Sequence, residues 1–142
     1  MSDLAVAIAR NWIGTPYVHQ ASARAAGSDC LGLIRGIWRE LYGAEPEPVP
    51  PYSADWGEMG RTEILLRGAT RHLVALSRDA QEAPGQVLLF RMREGAIAKH
   101  LGLLVQLGER SSFVHAYSGH GVIESSYSAA WRQRVVQRFR FP

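Results

Sequence analysis

SDCLGLIRGIWRELYG, residues 28–43, is the stretch on which the reading of this chain turns. Leu33, Ile34, Ile37, Trp38 and Leu41 recur at intervals of three and four, the period of a helix with one buried face. Ser28 or Asp29 can cap its start and Gly43 can stop it. Cys30, the single cysteine of the chain, therefore falls in the first turn, where backbone N–H groups lack intrahelical partners and the helix dipole favours negative charge. A cysteine in that position is either buried filler or a nucleophile. As a nucleophile it is expected to be an accessible thiol of lowered pKa, because the thiolate is the reactive form.

Working outward, residues 18–29 (VHQASARAAGSD) are small, polar and glycine-bearing and read as a loop. Ahead of them, Ser2 can cap a first helix whose apolar face is Leu4, Ala5, Ile8, Ala9 and Trp12, ending at Gly14 before Pro16. After Gly43 comes AEPEPVPPYSADWGEMG, in which Pro46, Pro48, Pro50 and Pro51 impose an extended surface connection. A third helix is predicted from near Trp56 or Glu58 to Leu76, carrying Ile64, Leu65, Ala69, Leu73 and Leu76. Beyond APG the period changes. QVLLFRMR, HLGLLVQLG, SSFVHAYS, GVIESSY and QRVVQRFRF are short apolar or β-branched runs separated by glycine and polar turns, which is the signature of strands. Helices first and strands afterwards predict an α+β domain over residues 1–142, with a mainly antiparallel sheet.

Composition narrows the classes of function. With 46% hydrophobic and 20% charged residues among 142, the chain has the make-up of a folded globular domain. One cysteine excludes an internal disulfide, and no run of about eighteen apolar residues is present to cross a membrane. The N-terminal stretch carries Asp3 and Arg10 and lacks a basic leader, so no export signal is expected, and the chain is expected in the cytoplasm. Sixteen basic against thirteen acidic side chains leave +3, with Lys99 the only lysine. Arg132, Arg134, Arg138 and Arg140 would share one strand face, a solvated edge in preference to a contact for an anionic polymer. No nucleic-acid motif accompanies them, so no nucleic-acid partner is expected.

The chemistry-bearing residues are Cys30 and two histidines of the strand region. His100 opens HLGLLVQL and His115 lies in FVHAY on the next strand, so neighbouring strands can set the imidazoles side by side. Nucleophile, base and orienting group then follow in chain order. A zinc site from Cys30, His100, His115 and His120 lacks any close ligand pair and is disfavoured, and no metal or organic cofactor is required. His120 replaces His115 only if the strand register differs from this reading. His19 and His72 read as incidental, and the four tryptophans as packing.

WIGTPYVHQASARAAGSDCLGLIRGIWRELYG, PGQVLLFR, KHLGLLV and FVHAYSGHGVIES together resemble, in order, the motifs of the NlpC-type bacterial cell-wall cysteine peptidases, a branch of the papain-like fold. The resemblance covers nearly the whole chain. It implies that Cys30 is the nucleophile, His100 the base and His115 its orienter, with Tyr17 beside the nucleophile near the oxyanion. Asp29 caps the helix and, by resemblance, borders the substrate. The implied reaction is hydrolysis of an amide bond in peptidoglycan stem peptides, between γ-D-glutamate and a diamino acid. The proline-rich segment looks like the subgroup encoded near tail genes of phages and gene-transfer agents, which implies phage-like tail proteins as partners. Two departures stand out: Leu31 where the family commonly has serine, expected to face substrate, and Gln86 where it commonly has aspartate. A tail or wall-binding module without catalysis, or an amidase or acyltransferase on another substrate, are the alternative readings.

Overall fold

A computed structural model describes residues 2–53 and 63–142. In chain order the elements are α1 (Ser2–Asn11), β1 (Ser22–Ala23), β2 (Gly27–Ser28), α2 (Cys30–Tyr42), α3 (Ile64–His72), β3 (Val74–Ala75), β4 (Val87–Arg91), β5 (Ala98–Gln106), β6 (Ser112–Tyr117), β7 (Gly121–Ser126), α4 (Ala129–Arg132) and β8 (Val135–Arg140). Six strands form one antiparallel sheet in the order β3-β8-β4-β5-β6-β7. The α+β expectation therefore holds, with α1, α2 and α3 preceding the main strands and the short α4 between β7 and β8.

α1 and α2 cover one face of the sheet. Ala5, Ile8, Ala9, Trp12, Leu33 and Ile37 pack there on Val87, Leu89, Leu101, Leu103, Val114 and Phe139. On the opposite face Leu88, Phe90, Leu104, Phe113 and Tyr127 form a second apolar cluster, against which Trp131 of α4 lies. Val87 to Phe90 are fully buried, one side chain after the next. This is why QVLLF reads as a continuous apolar run: β4 is covered on both faces, so the alternation of a half-solvated strand is lost.

α2 has the predicted limits. Asp29 is its N-cap, with Oδ1 accepting from Gly32 N–H at 2.7 Å, and the N–H of Gly43 closes the last turn on the Arg39 carbonyl. α1 and α2 approach so closely that a Cβ on Gly36 would stand 2.1 Å from the Trp12 ring. That contact forces glycine in mid-helix despite its poor helix propensity.

Several expectations are corrected. α1 stops at Asn11, short of Gly14, and Leu4 is exposed, so the helix face is narrower than its apolar pattern. The predicted loop 18–29 contains a small hairpin, β1 paired with β2, turned by Ala25 at a φ of 69°. The third helix ends at His72. Leu73 closes it in extended backbone and Val74–Ala75 join the sheet beside β8, because sheet pairing there outweighs the helical spacing of the leucines. Trp56 and Glu58, where its start was placed, lie outside the described residues. The C-terminal arginines do not form one face of an edge strand, since β8 runs between β3 and β4 and Arg132 belongs to α4. Arg138 donates to Gln86 Oε1 and to the carbonyls of Arg78 and Ala80, Arg132 pairs with Glu82, and Arg134 stacks on Trp131. Gln86, the second family departure, is thereby a tie between a turn and β8.

Candidate active site

The sheet and α2 meet in a cleft of about 140 Å3 where β4 and β6 end and β5 begins; Tyr17, His19, Asp29, Cys30, Met92, Lys99, His100, Ala116, Tyr117 and Ser118 line it. Cys30, His100, Tyr17 and Asp29, four of the five residues proposed from sequence, are brought together there. The fifth, His115, lies fully buried directly behind His100.

A β-bulge makes this wall. Phe90 pairs with His100 and Arg91 with Ala98, so the register shifts by one residue and Lys99 is inserted into β5 at the bulge. Successive residues of a regular strand face opposite sides. The bulge relaxes that rule, and Lys99 and His100 both border the cleft. The Lys99 carbonyl, turned out of the ladder, accepts from the Cys30 thiol at 3.9 Å.

On the far face the imidazoles form a chain. His100 Nε2 and His115 Nδ1 stand 2.7 Å apart, and His115 Nε2 is 2.8 Å from Ser125 Oγ. Phe90, Phe113, Tyr117 and Trp131 surround the pair with their rings. With Nε2 engaged, Nδ1 is the His100 nitrogen left for the cleft. His120 is not in the chain: it stacks on Tyr117 in the β6–β7 turn, 5.3 Å between ring centres. The β6–β7 register thus sets His115, not His120, behind His100.

The electrostatics differ from expectation. Cys30 is only 5% exposed. Burial and then the Asp29 carboxylate push its thiol up to about 12 from 9.0, although backbone N–H groups of Leu101, Leu31 and Cys30 itself pull the other way. The helix start does act as foreseen, but desolvation outweighs it, and the resting cysteine is a neutral thiol. Burial likewise drives His100 down to about 3, with His115 adding to the effect. His115 falls to about 4 through burial and then the neighbouring His120. Both imidazoles are neutral at pH 7.

Asp29 is 2% exposed and its oxygens are occupied: Oδ1 by Gly32 N–H, Oδ2 by Gln20 N–H at 2.7 Å and by the Tyr52 hydroxyl. It caps the helix and pins the proline-rich connection to the cleft wall at once. Tyr17 is half-buried, and burial together with the charges of Cys30 and Asp29 pushes its hydroxyl up to about 12, so it remains a proton donor. Tyr17 is held by a parallel bridge to Ser28 and by the tie of Gly14 and Thr15 to Val122 of β7. Gly121, at a φ of 78°, permits that tie, because a Cβ there would lie 2.6 Å from the Thr15 carbonyl.

Leu31 does not join this cleft. It lines a separate apolar pocket of about 390 Å3 between α2, the proline-rich connection and α3. Sequence reasoning passed over Ser125, Tyr52 and Tyr117, and treated His19 as incidental although it lines the cleft and bonds the Tyr52 carbonyl at 2.9 Å. Ser125 was reachable by counting: the turn pairs Tyr117 with Gly121, so His115 pairs with Ile123, and Ser125 is its diagonal neighbour on the same face. The others depend on tertiary packing that no short spacing encodes. Among the described residues no His, Cys, Asp and Glu cluster suited to a metal is present, and no helix is long and apolar enough to cross a membrane.

A helix-borne cysteine and a histidine at a strand start border one cleft, and the α+β fold that positions them is papain-like. More narrowly, the fold is that of NlpC/P60 domains. The structure is similar to the NlpC/p60 domain of the peptidoglycan hydrolase SagA, with a TM-score of 0.65, 19% identity and 99% of each chain covered. It is similar to an NlpC/P60 family protein from Bacillus cereus ATCC 10987, with a TM-score of 0.67 and 15% identity over 99% of this chain and 40% of that one. A third similar structure is Ly7917 with the hydrolysing product of MDP, with a TM-score of 0.59 and 15% identity over 100% of this chain and 63% of that one. The chain thus spans almost all of the SagA domain but less than two-thirds of the other two. No protein-family model and no curated protein matches the sequence.

Proposed function

We propose that this chain is a cysteine peptidase that hydrolyses an amide bond in bacterial peptidoglycan stem peptides. The observation that carries the reading is the cleft that Cys30 and His100 both line, with His115 hydrogen-bonded behind His100. Because thiol and imidazole both rest neutral, His100 Nδ1 takes the thiol proton as Sγ attacks the carbonyl carbon, without a preformed ion pair. Charge then develops on the carbonyl oxygen, where the Cys30 N–H at the helix start and the Tyr17 hydroxyl are the donors at hand. His100 returns the proton to the leaving amine as the C–N bond breaks. Water, deprotonated by His100, then splits the thioester and restores the thiol. Asp29 places negative charge beside the cleft, where a substrate ammonium would meet it.

The bond between γ-D-glutamate and a diamino acid is the proposed point of cleavage on the motif resemblance alone; the similar Ly7917, described with the hydrolysing product of MDP, supports a peptidoglycan-derived substrate without naming the bond. A role beside phage-like tail proteins rests on the proline-rich segment alone. Purified muropeptides and sacculi incubated with the protein and with Cys30→Ala test the reading by mass spectrometry. Cys30-dependent products with a new N-terminal diamino acid are expected, with casein left uncut. Efficient casein cleavage overturns the substrate class, and tight sacculus binding without Cys30-dependent product replaces the enzyme with a wall-binding module.

A further inference from the structure

His100 serves as a base only if Nδ1, the nitrogen left for the cleft, carries no proton. A neutral imidazole carries one proton, so that proton must sit on Nε2 and point at His115 Nδ1, 2.7 Å away. His115 must then accept at Nδ1 and carry its own proton on Nε2, which needs an acceptor in turn. In the reverse arrangement His115 Nδ1 donates to His100 Nε2, and His100 presents an N–H to the cleft and is useless as a base. The two arrangements hold the same number of protons and the same interatomic distances. What chooses between them lies at the end of the chain.

Ser125 Oγ stands there, 2.8 Å from His115 Nε2. The strand alternation of β7 isolates it for this task. Glu124 points to the α1 side, bound by Arg10 and Ser112, while Ser125 points to the side of the histidines. A hydroxyl can donate or accept, and the 2.8 Å contact fits either; we propose that here it accepts from His115 Nε2–H, which makes Ser125 a positioning residue of this site that holds the tautomer pair with His100 Nδ1 unprotonated toward the cleft. The inference rests on the hydrolase reading for its kinetic consequence but not for its tautomeric one. The desolvated surroundings of the two rings, which keep both neutral, make the selection matter, because the two rings share two protons among four nitrogens.

Long-range proton–nitrogen correlation spectra of 15N-histidine-labelled protein test it near neutral pH, with His100→Asn and His115→Asn variants assigning the signals. Both histidines of the unmodified protein are expected as Nε2–H tautomers. In Ser125→Ala, His115 is expected to shift toward Nδ1–H and His100 to lose its Nε2 proton, while Ser125→Thr, which keeps the hydroxyl, retains the original spectrum. With a cleavable muropeptide, Ser125→Ala should lower kcat about tenfold with KM within about twofold, and Ser125→Thr should recover most of it. An Nδ1–H His115 in the unmodified protein, or a Ser125→Ala spectrum unchanged from it, overturns the inference. The spectra need no substrate, so they decide it even if no muropeptide is cut; absence of Cys30-dependent product overturns only the hydrolase reading.

Discussion

At the scale of single residues, His100 and His115 are both buried imidazoles held neutral by desolvation, yet their chemistry differs. His100 has one nitrogen toward the cleft, whereas both nitrogens of His115 are engaged inside the protein. A group that must exchange a proton cannot be replaced by one that only accepts or donates a hydrogen bond. His100→Asn is therefore expected to lower kcat by about 10^2–10^4-fold, the usual worth of general acid–base catalysis. His115→Asn or Gln, which keeps a polar partner for His100 Nε2, should lose roughly tenfold, and His120→Ala should stay near the parent rate. Steady-state kinetics on a muropeptide decide this, and equal losses at His100 and His115 would make His115 a proton carrier as well. That His100 and His115 lie side by side was legible in the sequence, because their places on consecutive strands follow from the order of the apolar runs. The protonation of Cys30 was not, since the helix start that lowers a thiol pKa is local whereas the burial that raises it belongs to the assembled molecule.

At the scale of elements, glycines separate what period predicts from what packing demands. Gly36 lies under Trp12, whose indole N–H also bonds Glu40 at 2.6 Å and so holds the ring against α2. Gly36→Ala is expected to destabilise by about 1–3 kcal/mol through overpacking, lowering Tm by roughly 4–12 °C. Gly68 in α3 has nothing within 4 Å of where a Cβ would stand, so Gly68→Ala should stabilise by about 0.5–1 kcal/mol. Thermal melts of the two variants check the opposite signs. Neither follows from sequence, where both are glycines within helical spacing. What was legible at this scale was each long apolar run: α2 with its caps, and β4 to β8 in order. The bulge at Lys99 was not, because a strand with one extra residue keeps its apolar character while changing which side chains reach the cleft. Nor was the conversion of Val74–Ala75 from helix to strand, which depends on β8, sixty-odd residues further along the chain.

At the scale of the whole molecule, the groups that form the site also set where the fold is most stable. His100 and His115 have folded pKa values near 3 and 4 against 6.5 in the open chain, so between those limits the unfolded state binds more protons than the folded one. Stability is then complete above about pH 6.5 and drains away as pH falls toward 4. Glu124 adds to the loss below its ordinary value of 4.5: burial pushes it up, but hydrogen bonds from Arg10 and Ser112 outweigh this and hold it lower. On the alkaline side the sign reverses. Cys30 ionises near 9.0 when unfolded but only near 12 when folded, so the unfolded state sheds a proton first and stability falls as pH rises above 9. Tyr17 and Tyr127, both pushed by burial up to about 12 from 10.0, steepen that limb. Urea unfolding midpoints measured across pH should therefore form a plateau between about 6.5 and 9 with a fall on each side. In Cys30→Ala the alkaline limb should begin about one unit later, at the tyrosines, and His100→Gln should flatten the acid limb without moving the alkaline one. A stability maximum below pH 5, or an acid limb unaffected by His100→Gln, would mean that the imidazole pair is solvated in the folded protein, and the neutral relay built on its burial would have to be given up.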